Sequence, residues 1–206
     1  ALEEHAVTAA AIGGSDLGVA IGQGWMPRGD PLVITRAQGK CVYEIDGRPA
    51  FQVYAERLGT DVPRESFRRF SMVNPFGFVD LSGNYVIRDP RAVNDDDSLE
   101  FVTEVPDRAV ATMMHGDIDG LVESARDVTR GALSGVRSPF LALCFDCISR
   151  YLLMGVEYGR ELQAVAGELD ERVPFLGALT FGEIGSFREV PLFHNKTIAV
   201  AVLGNG

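Results

Sequence analysis

The order of apolar runs in this sequence predicts an α+β fold: a mixed β-sheet with packed helices, in which an N-terminal β-meander is followed by βαβαβ and a last strand. Three observations carry that prediction. Short β-rich runs separated by Gly, Pro and Asp fill the first half. Two stretches with apolar residues at every third or fourth position occupy the second half. Between them Phe140 to Phe145 is wholly apolar, the pattern of a strand at the centre of a sheet.

Residues 1–17 are Ala-rich and lead into Gly-Gly-Ser-Asp, the composition of a flexible N-terminal remnant. The chain opens Ala-Leu-Glu-Glu, without an initiator Met or a charged-then-apolar leader, and so reads as a piece of a longer protein. Folded structure is expected from residue 18 to residue 206, as a single domain. Gly18 to Gly22, Leu32 to Thr35 and Cys41 to Ile45 are the strands of the meander, and Asp46-Gly47 marks the next turn. Pro49 to Gly59 predicts a helix, with Pro at its first turn, Gly past its end, and Phe51, Tyr54 and Leu58 on the buried face. Residues 60–84 carry Phe70, Phe76 and Phe78 among Pro and Gly, which predicts a packed but irregular segment. Tyr85 to Arg88, Leu99 to Val102 and Ala109 to Met114 return to strand, divided by turns at Asp95-Asp96-Asp97 and Pro106-Asp107.

Asp117 has the character of an N-cap for a helix running to about Ser134, with Ile118, Leu121, Val122, Ala125 and Val128 at helical spacing. After the central strand, Tyr151, Met154, Tyr158, Leu162, Val165 and Leu169 form a stripe that predicts one helix of about 20 residues, with Glu157, Glu161 and Glu168 on its solvated face. Phe175 to Thr180 and Thr197 to Leu203 close the fold as strands.

Composition narrows function by exclusion. With 29 acidic and 19 basic residues the net charge is −10, which excludes an electrostatic nucleic-acid or anionic-membrane binder. Only two of the basic residues are lysines, Lys40 and Lys196. The rest are guanidiniums, suited to forked contacts with carboxylates. Three cysteines, at 41, 144 and 147, make no disulfide framework and point to a reducing cytoplasm. The apolar run from Phe140 stops at Asp146, far short of the roughly 20 residues of a membrane helix.

Two local patterns could carry chemistry. In Thr180-Phe-Gly182-Glu183-Ile-Gly185, two glycines flank one carboxylate at the end of an apolar strand, so the backbone can approach a ligand at which Glu183 points. Nine residues on, His194-Asn195-Lys-Thr197 places Asn195 and Thr197 on one face of a strand start. A tight turn whose Glu caps a backbone N–H would look the same. The second pattern is Cys144-Phe-Asp-Cys147-Ile-Ser-Arg150, where a strand turns into a helix whose N-terminus favours an anion or thiolate and where Arg150 adds a bidentate donor. Cys144 is expected to be buried and inert, which argues against a redox pair. With one further Cys and scattered His5, His115 and His194, a closed zinc site is not expected. Cys147, His194 and Glu183 are the residue types of a hydrolase triad, but three such residues occur in most chains of this length, and we read the chain as a non-enzyme.

These motifs resemble a known family. Gly182-Glu-Ile-Gly185, His194-Asn195-x-Thr197, Cys147-x-x-Arg150 and Tyr85-Val-Ile-Arg88-Asp-Pro look like the C-terminal half of the FIST sensory domain. Gly22-Gln-Gly-Trp-x-Pro-x-Gly29 and Val33-Ile-Thr35, within residues 18–36, look like the end of its N-terminal half. The resemblance covers roughly residues 18 to 203 and departs from the family pattern in lacking most of the N-terminal half. It implies a cytoplasmic signal-input module that binds a small metabolite such as an amino acid and passes the signal to an output protein or domain, for example a histidine kinase. The ligand-binding residues expected are Arg150, Cys147, Gly182, Glu183, Gly185, His194, Asn195 and Thr197. Arg150 would meet a ligand carboxylate and Glu183 an ammonium, with Arg150, Glu183 and Asn195 in one pocket. No cofactor is expected. Similarity of some family members to haem-binding nitric-oxide sensors leaves a haem alternative, with His115, His194 and Cys147 as axial ligands. A structural or dimerisation module is the third reading.

Overall fold

A computed structural model describes residues 15–185 and 191–206. The chain forms β1 (Ser15–Gly22), β2 (Met26–Pro27), β3 (Leu32–Gln38), β4 (Cys41–Ile45), β5 (Arg48–Pro49) and α1 (Ala50–Leu58). Next come α2 (Phe67–Val73), β6 (Phe76–Val79), β7 (Tyr85–Arg88), β8 (Pro90–Val93), β9 (Leu99–Phe101), β10 (Ala109–His115) and α3 (Ile118–Leu133). The last third holds β11 (Pro139–Cys147), α4 (Ile148–Met154), α5 (Gly159–Glu168), β12 (Phe175–Thr180), β13 (Glu183–Gly185), β14 (Leu192–His194) and β15 (Ile198–Asn205).

The fold is α+β, as the sequence predicts, but its strands divide between two principal sheets. The meander is antiparallel throughout, in the order β7-β6-β10-β3-β4-β9-β8, with β2 on β10 and β5 on β4. Asp46 and Gly47 both take positive φ, which builds the two-residue hairpin turn between β4 and β5. The second sheet has the order β1-β15-β11-β12. There β11 and β12 run parallel, while β15 is antiparallel to both β1 and β11. Strand β10 belongs to the first sheet, so the predicted βαβαβ unit is split: α3 carries the chain from one sheet to the other.

Four further expectations need correction. Residues 60–84 hold the regular elements α2 and β6, because Phe67, Phe76 and Phe78 are core residues packed with Tyr54 and Phe101. The predicted long helix is two short ones, broken at Gly155, whose φ of +54° and ψ of −120° an L side chain resists. The break re-aims the stripe: Tyr151 and Leu162 face outward, and Glu161, expected in solvent, is fully buried. Of the expected remnant, residues 1–14 lie outside the described residues, whereas β1 already begins at Ser15, paired with Asn205. On α1, Phe51 is only partly buried, and Val53 takes its place in the core beside Tyr54 and Leu58.

Each sheet has its own core. Leu32, Ile34, Val42, Ile45, Phe76 and Phe101 centre the first, against α1 and α2. Ala125, Val128, Ala142, Val165, Val200 and Val202 centre the second, where α3 and α5 lie on one sheet face. A third cluster of Trp25, Ile87, Met114, Leu121 and Met154 draws on both halves and forms their joint. Asp117 caps α3 by accepting from the Gly120 N–H at 2.7 Å, as predicted. Gly18 lets α3 sit close on β1: a Cβ there would run into the Ala132 carbonyl and the Val136 side chain. Gly18→Ala is therefore expected to lower stability by about 1–3 kcal/mol, read as a fall in the urea midpoint at unchanged slope.

Candidate functional site

The C-terminal edge of the parallel pair β11–β12 gathers an unusual amount of buried charge. Arg150, three residues into the segment after β11, is fully buried. Its Nε donates to Glu161 Oε1 at 2.9 Å and faces Asp146 Oδ1 at 3.2 Å. Its Nη1 donates to the carbonyls of Gln23 at 2.5 Å and Lys196 at 3.4 Å, and its Nη2 to the Leu121 carbonyl at 3.0 Å and to Glu161. The fork thereby ties β11, α3, α5, the segment after β1 and the start of β15 together. Lys196, also fully buried, donates from Nζ to the Met72 carbonyl at 3.0 Å and pairs with Asp89 at 3.3 Å, which in turn holds Arg68 at 2.8 Å. The Trp25 ring lies 5.8 Å from the Arg150 guanidinium and 5.4 Å from Lys196 Nζ, so both buried cations share its face potential. Burial depresses the Lys196 pKa, and Asp89 opposes that.

A second polar cluster adjoins it. Glu183 opens β13 almost fully buried and accepts from the hydroxyls of Thr180 and of Thr197, the latter at 2.5 Å. Burial raises its pKa, and the two hydroxyls counter that. The Cys147 N–H donates to the Thr197 carbonyl at 3.0 Å, and its thiol approaches the Ser149 hydroxyl at 3.5 Å. Burial and then the Glu183 charge push that thiol's pKa up, the opposite of an activated nucleophile. Gly182 has φ +150°, and a Cβ there would run into the Phe193 ring. Across the β13–β14 ladder Glu183 pairs with His194, whose Nε2 lies 3.0 Å from the Gly185 carbonyl and whose pKa burial lowers. Asn195 looks toward the meander, accepting from the Thr103 hydroxyl at 2.8 Å.

Of the eight predicted residues, then, Cys147, Gly182, Glu183, Gly185, His194 and Thr197 meet in one connected cluster, Arg150 joins through the Lys196 carbonyl, and Asn195 turns to a separate partner. All five N–H groups of Arg150 meet protein acceptors, and both Glu183 oxygens meet hydroxyls. The carboxylate and ammonium contacts expected of these two side chains are thus filled by the protein itself. Cys147 and His194 are engaged inside the fold, and His115 borders an open hollow of about 570 Å³ whose lining includes Asp117, Asp119, Glu157 and Arg160.

Sequence reasoning missed Asp146 and Glu161. Asp146 lies four residues before Arg150, and a lone carboxylate closing a wholly apolar central strand was the available signal. It is 2% exposed and lines a partly open cavity of about 120 Å³ with Cys144, Tyr158, Gly177, Ala178 and Leu179. The Tyr158 hydroxyl and Arg150 Nε are the donors beside its carboxylate. Burial first, then the neighbouring Glu161 charge, lift its pKa to about 8 against the pull of Arg150. Burial likewise lifts the Cys144 thiol to about 12, which leaves it the inert thiol expected. Among the described residues no group of three or more metal-ligating side chains converges.

The polar cluster thus sits at the strand ends of the parallel pair, and burial raises the pKa of its one thiol. The chain belongs to the FIST family: residues 50–186 match the FIST C domain and residues 1–48 the FIST N domain. FIST domains are signal-sensing domains, and the family is not a known enzyme family. Strand β15, beyond the matched ranges, pairs with β1 from the N-domain match on one side and β11 from the C-domain match on the other. An uncharacterised protein of Methanocaldococcus jannaschii is 32% identical over 207 residues, covering 88% of this chain and 40% of that relative. The chain thus spans less than half of that curated relative's length. No solved structure matches. Among the described residues no helix is long and apolar enough to cross a membrane.

Proposed function

We propose that this chain is a non-enzymatic sensing module that binds a small polar metabolite of the amino-acid class and hands the signal to an output protein or domain such as a histidine kinase. One observation carries the reading: the end of β11, the Thr180–Gly185 turn and the start of β15 converge at the carboxyl edge of a parallel strand pair, where open α/β sheets take ligands. The buried cluster of Cys147, Gly182, Glu183, Gly185, His194 and Thr197 holds that edge in shape, while Phe181 and Ile184 stand exposed on its rim. Three free thiols, two of them buried, suit a reducing cytoplasm.

The test is a thermal-shift screen of amino acids and related metabolites. At least one is expected to raise the unfolding temperature in a dose-dependent way, as a ligand bound only to the folded state must. Glu183→Gln keeps the shape of the side chain but replaces one of the two acceptors that hold the Thr180 and Thr197 hydroxyls with a donor, and by disturbing that edge is expected to weaken the response about tenfold. A flat screen would overturn the reading. It would favour a structural or dimerisation module, to which the internal pairing of Arg150 and Glu183 already lends support.

A further inference from the structure

We infer that the cavity beside Asp146 is a subsite for an organic cation, the ammonium head of a small amine or amino acid, with the Asp146 carboxylate as its counter-ion. The inference rests on the sensor reading above and adds the residue and the charge. Three features point to it.

The first is an imbalance of charge. Asp146 and Glu161 share one guanidinium, that of Arg150, so with both carboxylates ionised the trio carries an uncompensated negative charge in a dry setting. The other polar groups facing Asp146 are the Tyr158 hydroxyl and the Cys144 thiol, and neither is cationic. A positive group in the cavity would complete the set.

The second is position. Asp146, 2% exposed, is one of the residues lining the cavity, and the Tyr158 hydroxyl and the Arg150 guanidinium are the donors beside its carboxylate. Two donors leave part of a buried carboxylate's acceptor capacity open, which is costly unless a further donor arrives.

The third is size and lining. About 120 Å³ equals the liquid volume of roughly four waters, room for an alkylammonium head. The Tyr158 ring, Ala178 and Leu179 supply apolar walls. Gly177 also lines the cavity, and a Cβ there would come 2.8 Å from the Cys144 carbonyl oxygen. With a single carboxylate in the lining, the site suits an organic cation rather than a bare divalent ion, which demands several oxygen ligands.

When the cation enters, Asp146 passes to its carboxylate form and its proton goes to the buffer. Ethylammonium chloride is the probe, with potassium chloride at equal ionic strength and sodium propionate as controls, all on the whole chain. Ethylammonium is expected to raise the unfolding temperature dose-dependently beyond either control. Titration calorimetry in two buffers of different ionisation heat is expected to show a proton released per cation bound at pH 6.5, falling toward zero at pH 9. Asp146→Asn is expected to weaken binding by about tenfold or more and to abolish the proton release. A response equal to that of potassium, binding without proton release in the wild-type chain, or an unchanged affinity in the variant each overturns the subsite. Amino acids that stabilise the wild type and Asp146→Asn equally would overturn it while leaving the sensor reading standing.

Discussion

Replacing Arg150 with Met is expected to lower the stability of the chain by about 3–5 kcal/mol, the range for removing one partner of a buried ion pair. Arg150 is fully buried, and so is Glu161, while Asp146 is nearly so. Loss of the guanidinium strands two carboxylates in the interior and leaves the Gln23, Leu121 and Lys196 carbonyls without their donor. Lysine is not a substitute, because one ammonium cannot span acceptors on five separate stretches of chain. Arg150→Lys should therefore retain the charge but recover little of the stability. The contrast is Arg130→Ala, which removes an equally short pair with Glu168 at 2.9 Å on a half-exposed helix surface. That change is expected to fall within about 1 kcal/mol. Urea unfolding of the three variants measures the difference, and comparable losses at 130 and 150 would show that burial does not set the value of these pairs.

The elements that sequence pattern located well are those with one period and a clear end. Helix α3 shows its apolar residues at helical spacing and its Asp117 cap; β4 and β5 show their Asp-Gly turn; β11 shows an uninterrupted apolar run. Periodicity fails where a single backbone position overrides it. Tyr151 to Leu169 keeps a helical stripe in the sequence, yet Gly155 breaks it, and the residues beyond are rotated so that Glu161 turns inward. The division into two sheets was illegible for a different reason. Strand partners such as β1 with β15 are chosen by contacts about 180 residues apart, which no local pattern encodes.

The candidate site was legible as a set of places and not as a set of contacts. Gly182, Glu183, Cys147 and Thr197 do come together, because strand ends at one sheet edge must. What residue type alone could not say is whether an Arg or a Glu faces a ligand or a neighbour. The answer depends on Glu161 and on the Thr180 and Thr197 hydroxyls, whose positions follow from the helix break and the β15 register. Asp146 was passed over because it interrupts an apolar strand, where it reads as the end of the element. A carboxylate on a central strand is better taken as a costly exception that something must offset.

That exception contributes a loss of stability as pH rises between about 4 and 8. In the unfolded chain the Asp146 carboxyl titrates near 3.8, and in the folded chain near 8, with burial the first cause and Glu161 the second. Between these values the folded state holds one proton more than the unfolded state, so each rise in pH favours unfolding. The contribution is complete below pH 3.8 and is lost as pH passes through 8. One proton of linkage amounts to roughly 1 kcal/mol per pH unit. Glu183, also raised by burial, acts in the same direction; His194, lowered by burial from 6.5, opposes it below that pH, and the exposed Asp170, held down to about 2 by Arg172, opposes it at acid pH. Asp146→Asn removes the titrating group and keeps its shape, so the variant is expected to show a flatter profile and to exceed the wild type at pH 8. Urea midpoints at pH 5, 6.5 and 8 measure both curves, and a wild-type midpoint that rises across this range and is matched by the variant would rule out a neutral Asp146 in the folded chain.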